Sequence, residues 1–216
     1  MNSAHELITV GLLYFTSFFT LINPLGSMPV FLTMTSKLTK SEKRKTALKA
    51  VLTAFITLLI FAFGGQMLFD FFGISVNSFR IVGGIIFFLM GYDMLNARFS
   101  SFKSIPQEHV ADYVDDISVT PLGIPMIAGP GAITNSIVLM EDSPSFVLKM
   151  ILIGTIILTM LLTLLIYMGG SKITRFLGET GNKIMLKLMG LIVMVMAVEF
   201  FFAGLKPILQ SIFPPA

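Results

Sequence analysis

Leu21-Ile22-Asn23-Pro24-Leu25-Gly26 and Ile127-Ala128-Gly129-Pro130-Gly131-Ala132 interrupt two apolar runs, with their prolines 106 positions apart. The runs around them, 7–36 and 117–140, carry no formal charge. Proline lacks an amide N–H and its ring crowds the preceding turn, so each motif breaks a helix. The residue before proline is also biased away from helical backbone. Irregular backbone at bilayer depth is tolerated only where protein buries it or a watery cavity reaches it. Paired interruptions at corresponding positions are therefore the sequence mark of a transport site.

Outward from the breaks, the chain reads as an integral membrane protein. Of its 216 residues, 55% are hydrophobic and only 12% charged, against about 25% charged in soluble domains. Two further runs, 51–69 and 150–171, are also uncharged, and two more hold a single acid each: Asp93 in 81–95 and Glu199 in 188–205. A span needs roughly 20 apolar residues, so six spans are expected. The N-terminus has no basic segment ahead of its apolar run, which predicts that the first span is retained. Without cysteine, disulfides and thiolate metal sites are excluded. The slight basic excess belongs to loops and is no nucleic-acid signal.

The cations sort by loop. Lys37, Lys40, Lys43, Arg44, Lys45 and Lys49 follow span one; Arg98 and Lys103 follow span three; Lys172, Arg175, Lys183 and Lys187 follow span five. The opposite side has Arg80, Lys149 and Lys206. The positive-inside rule then predicts cytoplasmic basic loops and both termini outside. The stretch 98–118, with Glu108, Asp112, Asp115 and Asp116, reads as a solvated linker between halves.

The halves match at the same offset without a gap. Thr57-Leu58-Leu59-Ile60 recurs as Thr163-Leu164-Leu165-Ile166; Gly64 aligns with Gly170, Gly84 with Gly190, Met90 with Met196, and Asp93 with Glu199. Three spans per half, an odd number, turn the second half upside down. The expected architecture is all-α: two inverted three-span repeats, 1–105 and 106–216, with discontinuous helices in spans 1 and 4. Exchanging the conformations of such halves yields alternating access. Gly64, Gly65, Gly83, Gly84, Gly91, Gly169, Gly170 and Ser171 are expected to let helices approach closely.

Each break offers two dipoles. Free N–H groups at the start of the second half-helix attract a carboxylate, and free carbonyls ending the first attract a cation. A zwitterionic amino acid carries both groups. The second half-helices are expected to begin near Leu25 or Gly26 and near Ala132. Asn23, Pro24, Leu25, Gly26, Ala128, Gly129, Pro130, Gly131, Ala132, Thr134 and Asn135 form the candidate substrate site. A lone proline kink satisfied by neighbouring helices is the ordinary alternative for either break. Asp93 and Glu199 are candidates for coupling or gating, since carboxylates inside spans are costly unless paired, hydrated or protonated. Glu199 reads as the deeper; Asp93 sits close to its helix end. His5 and His109 are isolated, no phosphate-binding loop is present, and no nucleophile–base pair is visible, so the reading is not an enzyme. No cofactor or metal is expected; Na+ or H+ remain candidate coupling ions.

Asn23-Pro24-Leu25-Gly26 with Pro29-Val30-Phe31-Leu32, Ile127-Ala128-Gly129-Pro130-Gly131-Ala132-Ile133, Gly83-Gly84 and Gly91-Tyr92-Asp93 together resemble the MarC family of bacterial inner-membrane proteins. The resemblance covers essentially the whole chain. It implies a multi-pass protein of the inner membrane, and, from a SnatA-like member, transport of small neutral amino acids such as glycine and alanine. By that similarity Asn23, Pro24, Gly26, Gly129, Pro130 and Gly131 would line the substrate site. The expected partners are the substrate and the bilayer, with room for a homo-oligomer. The rival readings are an exporter of another small solute and a membrane binding or regulatory protein that transports nothing.

Overall fold

A computed structural model describes residues 4–96 and 110–213, with Ala4, 171–177 and 179 described by backbone alone. In chain order the helices are α1 (Ala4–Ile22), α2 (Pro24–Met34), α3 (Lys40–Phe72), α4 (Val76–Leu95), α5 (Val110–Ile117), a π-helical stretch (Ser118–Ile127), α6 (Pro130–Glu141) and α7 (Phe146–Ile212). No strand occurs among the described residues. Arg98, Lys103, Glu108, His109 and the expected boundary at 105/106 lie outside them.

Five segments are long and apolar enough to cross a membrane: His5–Met34, Lys40–Phe72, Val76–Leu95, Phe146–Gly170 and Thr180–Ile212. The pair Val110–Ile127 and Pro130–Glu141, bent by 59°, makes a sixth if it counts as one crossing. Large apolar side chains cover the outside, among them Leu13, Ile60, Phe63, Leu165 and Phe202. Only a hydrocarbon solvent leaves such a surface unpenalised.

Local chemistry sets the boundaries. Thr39 caps α3 in a reciprocal box: its hydroxyl accepts from the Glu42 amide at 3.4 Å, and its own amide donates to Glu42 Oε2 at 2.7 Å. That box starts the helix at Lys40, well before the apolar run at 51. Gly73, at φ 64°, ends α3; its amide donates to Asp70 O and that of Ile74 to Phe69 O, a Schellman stop. Inside α7 the chain passes through Gly178 at φ 68°, which separates its two membrane-length arms.

The linker expectation fails over 110–118. Val110–Ile117 is a helix, and Val114, Ile117 and Ser118 are buried. The physical reason is its period: Val110, Tyr113, Val114 and Ile117 share one face, while Asp112, Asp115 and Asp116 share the other. Tyr113 donates to Met34 O at 2.9 Å, and Asp115 accepts a hydrogen bond from Lys49. Both half-helices also begin earlier than expected, at Pro24 and Pro130. Proline at the first helical position has no amide to waste and a preset φ, so it opens a helix.

α4 packs along the second arm of α7 more extensively than any other pair of elements. Small residues permit it. A Cβ on Gly84 would lie 2.8 Å from Ala197 O, and one on Gly91 would lie 2.7 Å from Gly190 O. Gly65, Gly83 and Gly170 are crowded too, whereas Gly64 and Gly169 face open space and do not serve packing. Ser171 is among the residues described by backbone alone.

Candidate functional site

The first break is one residue wide. Asn23 adopts φ 45°, ψ 63°, a left-handed conformation that asparagine tolerates better than most residues. Its amide still donates to Phe19 O at 3.0 Å, closing α1, and its carbonyl accepts from the Gly26 and Ser27 amides. Its side-chain Oδ1 accepts from the Gly26 amide at 3.0 Å. A Cβ on Gly26 would fall 2.3 Å from Asn23 Nδ2, so only glycine lets the asparagine fold back over the helix end. The expected free amide at this break is therefore already taken. Leu25, a candidate for the site, is 54% exposed and points away from it.

The second break is built differently. Thr120 and Ile124 leave the helical region, and both are followed by cis prolines, Pro121 and Pro125. Gly129 then caps α6 with no side-chain hydrogen bond. Pro130 has no amide, and Ile133 donates to Gly129 O at 2.9 Å. The amides of Gly131 and Ala132 stand between them, uncapped by any side chain. One turn on, Thr134 is 2% exposed and its Oγ1 has no hydrogen-bond partner. Thr155, Thr159 and Thr163 instead donate to carbonyls three or four residues back. Asn135 Oδ1 accepts from Ser17 Oγ at 3.0 Å, while its Nδ2 is buried without a partner.

The two breaks are neighbours in space. A Cβ on Gly131 would meet Leu21 Cδ2 at 3.0 Å, and Pro130 sits against Gly83, whose Cβ would fall 2.2 Å from it. Ala128, Gly129, Pro130, Gly131 and Ala132 are all buried. A cavity of about 30 Å³ lies beside Asn23 and Gly26. Its other walls include Ser27, Phe87, Met90, Met126 and Met196. Asn23 Nδ2 points at Met196 Sδ, 3.8 Å away. Pro24 is buried behind Asn23 but does not line the cavity.

Sequence reasoning missed several of these residues. Tyr167, fully buried in the first arm of α7, donates to Ser27 Oγ at 2.8 Å and stacks on Phe31 at 4.5 Å between centroids. A tyrosine inside an apolar run was the available signal. Met90 and Met196 were visible as a repeat pair, yet nothing local marked them as cavity walls. Asp93 is half-buried and Glu199 exposed, and neither lines the cavity. Glu199 borders an outward groove with Phe202, Lys206 and Gln210. No cluster of three or more metal-binding side chains occurs among the described residues.

Comparisons with known proteins place the chain among integral membrane proteins. A family model described as "MarC family integral membrane protein" matches residues 8–209. A UPF0056 membrane protein of Pyrococcus horikoshii is 41% identical, over 93% of this chain and 96% of its own. The UPF0056 membrane protein YvbG of Bacillus subtilis is 37% identical, over 91% of this chain and 96% of its own. No solved structure matches the chain. With nearly its whole length covered in both kinds of match, the chain belongs to the MarC family of integral membrane proteins.

Proposed function

We propose that the chain is a secondary transporter that moves small neutral amino acids, glycine and alanine among them, across a cytoplasmic membrane by alternating access. The observation that carries this reading is the set of buried polar groups left without partners at the second break, which adjoins the first break but does not itself line the cavity. Two uncapped amides at the positive end of α6 suit a carboxylate, and the unpartnered Thr134 Oγ1 and Asn135 Nδ2 lie within the next turn. Buried polar groups without partners cost stability, and a polar ligand would relieve that cost. Leu21, Phe87 and the two glycines leave little room beyond a small side chain.

The inverted-repeat part of the reading draws support from the α4–α7 seam. Gly84 approaches Ala197 and Gly91 approaches Gly190. The 106-residue offset carries Gly84 onto Gly190 and Gly91 onto Ala197, so it exchanges one contact for the other. The cavity walls Phe87 and Met90 likewise map onto Val193 and Met196, which line it as well. A site on such an axis is where two discontinuous spans would hand a substrate between opposite-facing states. At about 30 Å³ the cavity holds only water-sized occupants. Loading an amino acid thus requires the half-helices to part. The basic loops would face the cytoplasm, with both termini outside.

The test is uptake and counterflow of radiolabelled glycine and alanine in proteoliposomes, with and without sodium and pH gradients. Saturable, selective flux is the expected result, and its gradient dependence identifies the coupling ion. No flux of either substrate from folded protein would overturn the amino-acid reading.

A further inference from the structure

Another concave surface lies away from the cavity, between α3 and the first arm of α7. Leu48, Val51, Leu52 and Phe55 form one wall, Ile157, Met160 and Leu161 the other, around a groove of about 340 Å³. Leu48, Leu52, Ile157 and Leu161 are between 41% and 56% exposed, so the groove opens outward, to the lipid side. Its α3 wall continues as a stripe toward the helix start. Lys40, Arg44, Leu48, Val51 and Phe55 are spaced four, four, three and four residues apart, which is one helix face.

The cations on that stripe differ from their neighbours. Lys45 and Lys49, about a quarter-turn or more around the helix from Arg44, face α5. Lys49 is hydrogen-bonded to Asp115, and Lys45 Nζ lies 4.0 Å from the same carboxylate. Lys40 and Arg44 are exposed and pair with no carboxylate among the described residues. Glu42, the one acid in the first turn, is engaged with Thr39. Lys40, Lys43, Arg44 and Lys45 also crowd the positive end of the α3 dipole, where cations are disfavoured and an anion is welcome. Arg44 stands about 6 Å along the axis from Leu48, within reach of its own side chain above the apolar walls.

We propose that this groove binds an anionic phospholipid, with an acyl chain between α3 and α7 and the phosphate held by Arg44 and Lys40. Hydrocarbon alone would fill the walls, but it would leave the two cations and the helix end uncompensated. A guanidinium takes phosphate oxygens through two parallel hydrogen bonds, and basic residues at a membrane surface select anionic headgroups. The site joins α3 to α7 and stands independently of the transport reading.

The experiment is native mass spectrometry and thermal melting of the purified full chain with phosphatidylglycerol or phosphatidylcholine of identical acyl chains. Glycerol 1-phosphate serves as the chainless control. Wild-type protein is expected to retain phosphatidylglycerol about tenfold more tightly than phosphatidylcholine, with a matching rise in Tm, and to ignore glycerol phosphate. Lys40→Gln with Arg44→Gln is expected to erase the headgroup preference. Leu52→Trp, an exposed change that fills the groove, is expected to weaken both lipids. Equal retention of the two lipids by wild type, or an unchanged preference in the double variant, would overturn the proposal. So would full retention by Leu52→Trp, or stabilisation by glycerol phosphate equal to that by lipid.

Discussion

The two proline breaks are alike in sequence and opposite in hydrogen bonding. At the first, Asn23 satisfies the helix end itself: its side chain takes the Gly26 amide, and Ser27 is locked to Tyr167. At the second, Gly129 has no side chain to offer, and Thr134 Oγ1 and Asn135 Nδ2 are buried without partners. The first break is thus satisfied by its own residues, whereas the second leaves buried polar atoms without partners. The difference lies at several aligned positions: Asn23 against Gly129, Ser27 against Ile133, Met28 against Thr134 and Pro29 against Asn135. On the proposed reading, a repeat keeps a backbone break while dividing structural and binding duties between its copies.

The comparison can be broken most severely at the contact that holds the breaks to α4. Gly83→Val would drive its side chain into Pro130, 2.2 Å from the would-be Cβ. Overpacking of this kind costs about 1–3 kcal/mol or more. Glycine flux is expected to vanish, with early melting or aggregation visible in size-exclusion chromatography. Asn23→Ala comes next. It loses the cap, worth about 1 kcal/mol, and forces alanine into a left-handed conformation at about 1–2 kcal/mol more. Asn23→Gly should recover the conformational part alone, so the melting temperatures should rank wild type, then glycine, then alanine.

Thr134→Val against Ser27→Ala sharpens the contrast between the breaks. Removing an unpartnered buried hydroxyl is expected to leave stability unchanged or raise it, because such a group carries a penalty of about 1–3 kcal/mol. Flux should nevertheless fall roughly tenfold, the worth of about one hydrogen bond to the substrate. Ser27→Ala should instead lower Tm, because it strips Tyr167 of its partner. If Thr134→Val lowers stability and spares flux, the division of duties proposed here is reversed. The smallest effect is expected from Glu199→Gln. Its side chain is exposed and outside the cavity wall, so glycine flux should stay within about twofold. A changed pH profile of transport in that variant would return Glu199 to the mechanism.

Much of the architecture was legible because hydrocarbon imposes a one-dimensional rule. Apolar runs of sufficient length announce spans, and prolines announce where backbone bonding fails. The runs at 51–69, 81–95, 150–171 and 188–205 all fall within long helices, and both proline motifs coincide with helix boundaries. The segment 110–118 was misread because its acids outweighed its apolar face in a composition count. Only the spacing of Val110, Tyr113, Val114 and Ile117 distinguishes a docked helix from a linker. The start of α3 at Lys40 was missed for a related reason: the charged stretch counted as loop, although Thr39 and Glu42 form a capping box at its head.

The sequence by itself determined the class and the positions of the helix boundaries at the two prolines, since each follows from local covalent facts: a missing amide, a missing side chain, a run of apolar residues. Tertiary structure alone decided which amide at each break was already spent, which hydroxyls found partners, and that Asp93 and Glu199 stand apart from the cavity. Those outcomes depend on atoms brought together from over a hundred residues away, as Tyr167 is to Ser27 and Asn135 to Ser17. Whether a buried polar group is satisfied is a property of its neighbours in space, and no local pattern encodes it.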